Sequence, residues 1–201
     1  MAVNGFSDLI PFMLPELPGC TTPMITQALQ RGLRQFCIDT EAWYENTIKK
    51  SLVADQSDYI LYPTWDADIV RIKELRINDA TNIATGNDGV AQSESMYEFV
   101  PPYTIRLDDA ITPSEAVTNG LEVDLRILPS INATTVDPAF LTLWSEPIIG
   151  WAMWYLMSME RKKWSSPNRS AFYGLQYQKG RSKAKSEKVR LGRGGSFSLT
   201  A

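Results

Sequence analysis

The chain has 201 residues, 44% of them hydrophobic and 21% charged, so it is long enough to bury a sizeable core, and neither disorder nor a fibrous repeat describes it. It contains no histidine, which removes the Ser-His-Asp triad, an imidazole base near neutral pH and most zinc and non-haem iron sites. The net charge of −3 conceals a division: residues 1–159 carry 9 basic and 21 acidic side chains, net −12, whereas residues 160–201 carry 11 basic and 2 acidic, net +9.

The opening MAVNGFSDLIPFMLPELPG has no basic stretch and is broken by three prolines, so no signal peptide is expected and the chain is expected to be made in the cytosol. Cys20 and Cys37, with sixteen residues between them, match no zinc or redox spacing and are expected to be reduced and packed. Thr22-Pro23 supplies a capping hydroxyl and a proline at the first helical position. A helix is predicted over 23–44, with Ile25, Ala28, Leu29, Leu33, Phe36, Cys37 and Trp43 on its apolar side. Gln27, Gln30, Arg31, Arg34 and Asp39 fall on the other side.

From Thr47 the periodicity drops to two and β-branched and aromatic residues concentrate. Strands are predicted over 46–54, 58–63 and 68–79. In the last of these, Val70, Ile72 and Glu74 face one way and Ile69, Arg71 and Lys73 the other until the phase slips at Leu75, which predicts a bulge. Residues 80–95 form a polar loop. Two more strands follow at 97–108, interrupted by Pro101-Pro102, and at 121–129, giving a sheet of four to six strands.

Asp137-Pro138 repeats the cap-plus-proline signal and opens a second helix. Leu141, Trp144, Ile148, Trp151, Tyr155 and Met159 make one stripe, but Ile149, Ala152, Met153, Leu156 and Met157 extend apolar character around it. Such a helix must be covered on all sides, by its own sheet or by another subunit. Pro147 is expected to kink or divide it. The longest apolar run, Pro147 to Met157, is about eleven residues, too short to span a bilayer. Ser165-Ser166-Pro167 starts a third helix reaching about Arg190, with few apolar residues (Phe172, Leu175, Tyr177) and a basic second half. The chain then runs through LGRGGSFSLTA, flexible in isolation.

The expected fold is α+β: a helical bundle of about three long helices with an inserted, mostly antiparallel β region and an extended C-terminal arm. Residues 1–45 hold the N-terminal segment and first helix, 46–136 the β region, 137–177 the second helix and the start of the third, and 178–201 the basic helix end and arm.

No residue pattern points to a catalytic, cofactor or metal site. The carboxylate pairs Asp108-Asp109 and Glu122 with Asp124 are chemically capable of acid/base work but read as surface charge. Gly192-Arg193-Gly194-Gly195 neither follows a strand nor opens a helix, so it fails the test for a phosphate loop. Trp144, Trp151, Trp154, Tyr155 and Trp164 have the helical spacing of packed residues; Trp151, Trp154 and Tyr155 are the candidates for a subunit interface. For Lys179, Arg181, Lys183, Lys185, Lys188, Arg190 and Arg193 three readings stay open: a solvated helix face, docking to an acidic protein, or DNA phosphate contact. No aromatic residue interleaves between Lys179 and Arg193, as a single-strand reader would require.

Four stretches together resemble one family: LIPFMLPELPGCTTPMITQALQRGLRQFC (9–37), DYILYPTWDADIVRIKELRIND (58–79), LEVDLRILPSINATTVDPAFL (121–141) and MERKKWSSPNRSAFYGLQYQKGRSKAKSE (159–187). They are similar to the head-to-tail adaptor proteins of tailed phages, also called tail tubular or head completion proteins. The resemblance implies a structural virion protein without enzymatic activity or cofactor. It implies a ring of twelve identical subunits beneath the portal protein, a tail tube or nozzle protein attached below, and double-stranded DNA passing through the lumen without specific binding. It also implies that the C-terminal arm docks on the portal, with Phe197 and Leu199 as apolar anchors beside the basic residues. The acidic body suits such a channel, because a passage for DNA should repel phosphate. The rival expectation is a nucleic-acid-binding protein that uses the same basic segment.

Overall fold

The computed structural model describes residues 5–77, 80–85, 97–109 and 111–191. They contain four α-helices, α1 (Ile10–Met13), α2 (Thr22–Thr40), α3 (Pro138–Met157) and α4 (Pro167–Leu191), and seven strands: β1 (Tyr44–Leu52), β2 (Asp58–Ile60), β3 (Ala67–Ile77), β4 (Ala80–Thr85), β5 (Tyr97–Val100), β6 (Thr104–Leu107) and β7 (Val117–Pro129). The strands make two antiparallel sheets, ordered β1-β7-β3-β4 and β2-β6-β5. This corrects the expected bundle of three long helices with one inserted β region. The fold is α+β with a fourth helix and considerably more sheet.

Two physical causes account for the added sheet. The segment ATNIAT is too polar to announce a strand, yet its backbone pairs with β3 (Glu74↔Thr85, Leu75↔Ala84, Ile77↔Ala80), so the predicted loop at 80–95 begins as β4. The remainder of that loop, 86–95, lies outside the described residues. The second cause is Pro101-Pro102. It does not interrupt one strand but turns the chain between two, so that β5 and β6 pair in register from Tyr97↔Leu107 to Val100↔Thr104.

The chain divides into two compact units, one formed by Met1–Ala42 with Pro129–Ala201 and the other by Trp43–Leu128. In the β unit, β7 buries Leu121, Val123, Leu125 and Ile127 at every second position, and Asp124 is buried between them. Strand β3 does not alternate. It buries Ala67, Ile69, Ile72, Leu75 and Ile77 while Val70 is exposed, so its phase slips at two places, the first ahead of the predicted one at Leu75.

In the helical unit, α2 begins with Pro23 in its first turn, but no threonine hydroxyl caps it. It ends earlier than predicted, at Thr40. Glu41 takes a left-handed conformation (φ 51°) and donates its N–H to the Cys37 carbonyl at 2.8 Å, which closes the helix. Trp43 and Tyr44 therefore lie beyond it. Helix α3 carries a true side-chain cap, Asp137 accepting from the Ala139 N–H at 2.8 Å. Pro147 sits inside α3 and cannot donate to the Leu143 carbonyl, and the distortion falls at the next residue, Trp144 (φ −115°, ψ 17°).

Phe36 of α2 anchors the packing of the three long helices. It is fully buried, its ring centroid 5.3 Å from Trp144, 6.3 Å from Phe140 and 6.5 Å from Tyr177. Close approach depends on two glycines. A Cβ at Gly32 would stand 3.0 Å from the Ile148 carbonyl and 3.1 Å from the Trp151 ring, and one at Gly180 would run into the Pro147 ring. Cys20 and Cys37 are both buried and unpaired.

Candidate functional site

Helix α4 presents the basic residues. Tyr177 and Ala184, seven residues apart and therefore on one stripe, are 5% and 2% exposed, so the helix is packed at least as far as Ala184. The cations take its flanks. Lys179 and Lys185 are exposed. Lys183 reaches Glu187 at 3.9 Å and lies 5.9 Å over the Trp144 ring. Arg181 turns inward and donates to Asp39 of α2 at 3.3 Å. Arg193, Phe197 and Leu199 lie outside the described residues, as do the side chains of Lys188 and Arg190.

The candidate interface aromatics are held on α3. Trp151 stacks on Tyr155 (5.3 Å, 13° between planes) and meets Trp154 edge-on at 6.2 Å. The Arg31 guanidinium donates to the Tyr155 hydroxyl at 2.8 Å and lies 5.7 Å from its ring centroid. Trp144 and Trp164 are buried core residues, while Trp154 remains 42% exposed.

Between α2, α3 and α4 these elements enclose a groove of about 620 Å³. Gln35 and Asp39 come from α2, Trp151 and Trp154 from α3, and Gly174, Leu175, Tyr177, Gln178 and Arg181 line the α4 side. Its polar side is a closed network. The Asp39 carboxylate accepts from Gln35 (2.7 Å), Tyr177 (2.7 Å) and Arg181 (3.3 Å). Burial pushes the Asp39 carboxyl up, but the three hydrogen bonds and the Arg181 charge outweigh it and hold the group below its ordinary value. The Tyr177 hydroxyl is pushed up by burial first and by donation to Asp39 second, so it stays protonated.

Sequence reasoning missed this network. It set Gln30, Arg31, Arg34 and Asp39 on the side of α2 opposite its apolar stripe and gave them no partners; Gln30 donates to the Ala133 carbonyl at 3.0 Å and Arg34 to that of Pro129, beside the contacts already given for Arg31 and Asp39. A second face of α2 is thus in use. The only available signal was the all-round apolar character of α3, which required neighbours on several sides.

The carboxylate pair of the β unit takes part in an ion-pair ladder. Glu122 meets Lys49 at 2.5 Å and Arg76 at 3.4 Å, and Arg76 also reaches Glu74 at 2.8 Å and Asp124 at 3.6 Å. Hydrogen bonding from Lys49 leads in holding the Glu122 carboxyl below its ordinary value. A carboxyl so held carries no proton to donate at neutral pH. Asp108 and Asp109 are exposed. Among the described residues no group of three or more Cys, Asp or Glu is placed to hold a metal ion, and no helix is long and apolar enough to cross a membrane. Compared with protein-family models and with curated proteins, the chain matches none.

Proposed function

We propose that the chain is a head-to-tail adaptor of a tailed phage, forming a ring beneath the portal that joins the DNA-filled head to the tail. The observation that carries this reading is the charge of the two units. Residues 43–128 hold 15 acidic and 7 basic side chains, net −8, and the remainder holds 8 acidic and 13 basic, net +5. An acidic β unit suits a surface past which DNA must slide, since it repels phosphate. The exposed Lys179, Lys183 and Lys185 on one long helix suit a grip on an acidic protein surface. The resemblance over four stretches supplies the assembly: a ring of identical subunits, probed by the portal above and the tail below, at the head-tail junction of the virion. In a ring each subunit needs two different complementary faces, and the half-exposed aromatics of α3 are suited to one of them.

The test is electron microscopy of purified protein mixed with portal rings. Full-length chain is expected to add a second annular layer, and chain lacking residues 190–201 is expected to stay folded and leave the portals bare. Portals decorated equally by both proteins would remove the arm from the mechanism. Portals bare with both would remove the adaptor reading.

A further inference from the structure

Each unit carries an exposed cluster of charge, and the two clusters are of opposite sign. In the helical unit the turn between α3 and α4, residues 158–166, holds Arg161, Lys162 and Lys163 in succession, with Glu160 as its one acid. Ser166 donates its N–H to the Met157 carbonyl at 3.1 Å and Ser165 its N–H to the Lys162 carbonyl at 3.1 Å, which fixes the backbone of the turn. All three cations are exposed. The Lys162 ammonium lies 5.9 Å over the Trp164 ring. Arg169, just inside α4, is paired with Glu16, but among the described residues no carboxylate pairs with Arg161, Lys162 or Lys163.

In the β unit the segments 53–58 and 107–116 are held together by their backbones. Asp55 donates its N–H to the Pro113 carbonyl at 2.9 Å and Leu107 its N–H to the Ser57 carbonyl at 2.8 Å, and the N–H groups of Ile111 and Thr112 both go to the Asp108 carbonyl at 3.0 Å. The resulting tip has five acids, Asp55, Asp58, Asp108, Asp109 and Glu115, and no base. All five are exposed. Arg106 neutralises Asp58 at 2.9 Å, whereas Asp55, Asp109 and Glu115 have no cation beside them among the described residues. These carboxylates are not grouped closely enough to hold a metal ion. Three uncompensated carboxylates on one fixed tip thus match, in number and in sign, three uncompensated cations on one fixed turn, and exposure leaves both sets open to another molecule.

We propose that the acidic tip of one copy, through Asp55, Asp109 and Glu115, docks on the Arg161-Lys162-Lys163 turn of the next. This deepens the ring reading and rests on it. The contact is heterologous, tip onto turn, and so is open to propagation around a ring. Exposed ion pairs contribute little each, so the contact is weak between free copies and acts mainly by steering them into one orientation.

Charge reversal in full-length protein tests it. One variant carries Lys162→Glu with Lys163→Glu, which makes both clusters acidic; the other carries Asp109→Lys with Glu115→Lys, which takes the charge off the tip's acids and adds cations in their place. Sedimentation velocity at about 50 mM salt, where surface charges are weakly screened, is expected to show the natural chain associating and each variant alone associating at least about tenfold more weakly. The two variants mixed in equal amounts are expected to recover association, because the reversed turn then meets the reversed tip, a recovery that unfolded variants could not give. The single exchanges Lys163→Glu and Glu115→Lys are expected to show the same pattern to a smaller degree, and about 500 mM salt to disperse every complex. A natural chain that stays monomeric at low salt, a double variant that associates as well as the natural chain, or a mixture that recovers nothing while both variants keep the natural circular dichroism would overturn the proposal. Portals decorated as well by either variant alone as by the natural chain would remove this contact and keep the adaptor reading; recovery in the mixture with portals bare removes the adaptor reading alone.

Discussion

Tyr177 and Asp39 tie α4 to α2 by one short hydrogen bond, 2.7 Å long, beneath the groove. Tyr177→Phe removes the donor and leaves Asp39 with Gln35 and Arg181, so the expected loss is about 1 kcal/mol, seen as a melting point lower by about 2–4 °C for a chain of this size. The Asp39 carboxyl is also a pH sensor of stability. Its folded value lies below its unfolded one, so the folded state binds fewer protons. The stabilisation is complete above the unfolded range near pH 4 and is lost as pH falls through the folded value. Thermal melts of the natural chain and of Asp39→Asn should therefore differ at pH 7 and converge as pH falls through the lowered folded value, beneath the ordinary carboxylate range. None of this was legible residue by residue, because periodicity assigns a polar side chain to the face away from the core and cannot tell water from a neighbouring helix.

Helix starts were the most legible elements, since proline in the first turn is a local signal and α2, α3 and α4 all use it. Helix ends and strands depended on less local causes. The left-handed Glu41 stops α2 without a glycine, and β4 exists because β3 offers it a partner, not because ATNIAT favours extension. The approach of α4 to α3 rests on Gly180 lying against the Pro147 ring. Gly180→Val forces two helices apart or bends one, with an expected loss of about 1–3 kcal/mol. Urea unfolding should show a lower midpoint at unchanged slope. A stability equal to the natural chain's would mean that the seam yields freely.

For the molecule as a whole, with −8 on residues 43–128 and +5 on the rest, the salt dependence of DNA binding separates the proposed adaptor from a nucleic-acid-binding protein. A protein contacting six to eight phosphates loses affinity steeply with salt. An adaptor whose acidic unit lets DNA pass is expected to show negligible duplex binding near 150 mM salt and little change below it. Fluorescence anisotropy with a short duplex measures both, and a steep salt slope would favour the rival. The charge division was visible in the sequence as a step at residue 160. The units place the boundary differently: the acidity concentrates in 43–128, while residues 1–42 carry 4 acidic and 2 basic side chains and belong to the basic unit.

The helical unit is assembled from two stretches of chain with the whole β unit between them, and this sets an order of events during synthesis. Phe36 leaves the ribosome roughly 100 residues before Phe140 and Trp144 and roughly 140 before Tyr177, the rings that will surround it. At about 5–20 residues per second that is an interval of roughly 5–30 seconds. Throughout it the β unit can complete its own pairing, including the bond from the Ile127 N–H to the Trp43 carbonyl that brings its two ends together. The apolar face of α2, with Ile25, Leu29, Leu33 and Phe36, must meanwhile stay in water or under a chaperone. Chains truncated between residues 129 and 137 and released should thus carry a folded β unit and a sticky amino-terminal helix, the form in which this protein is most exposed to capture and to misassembly.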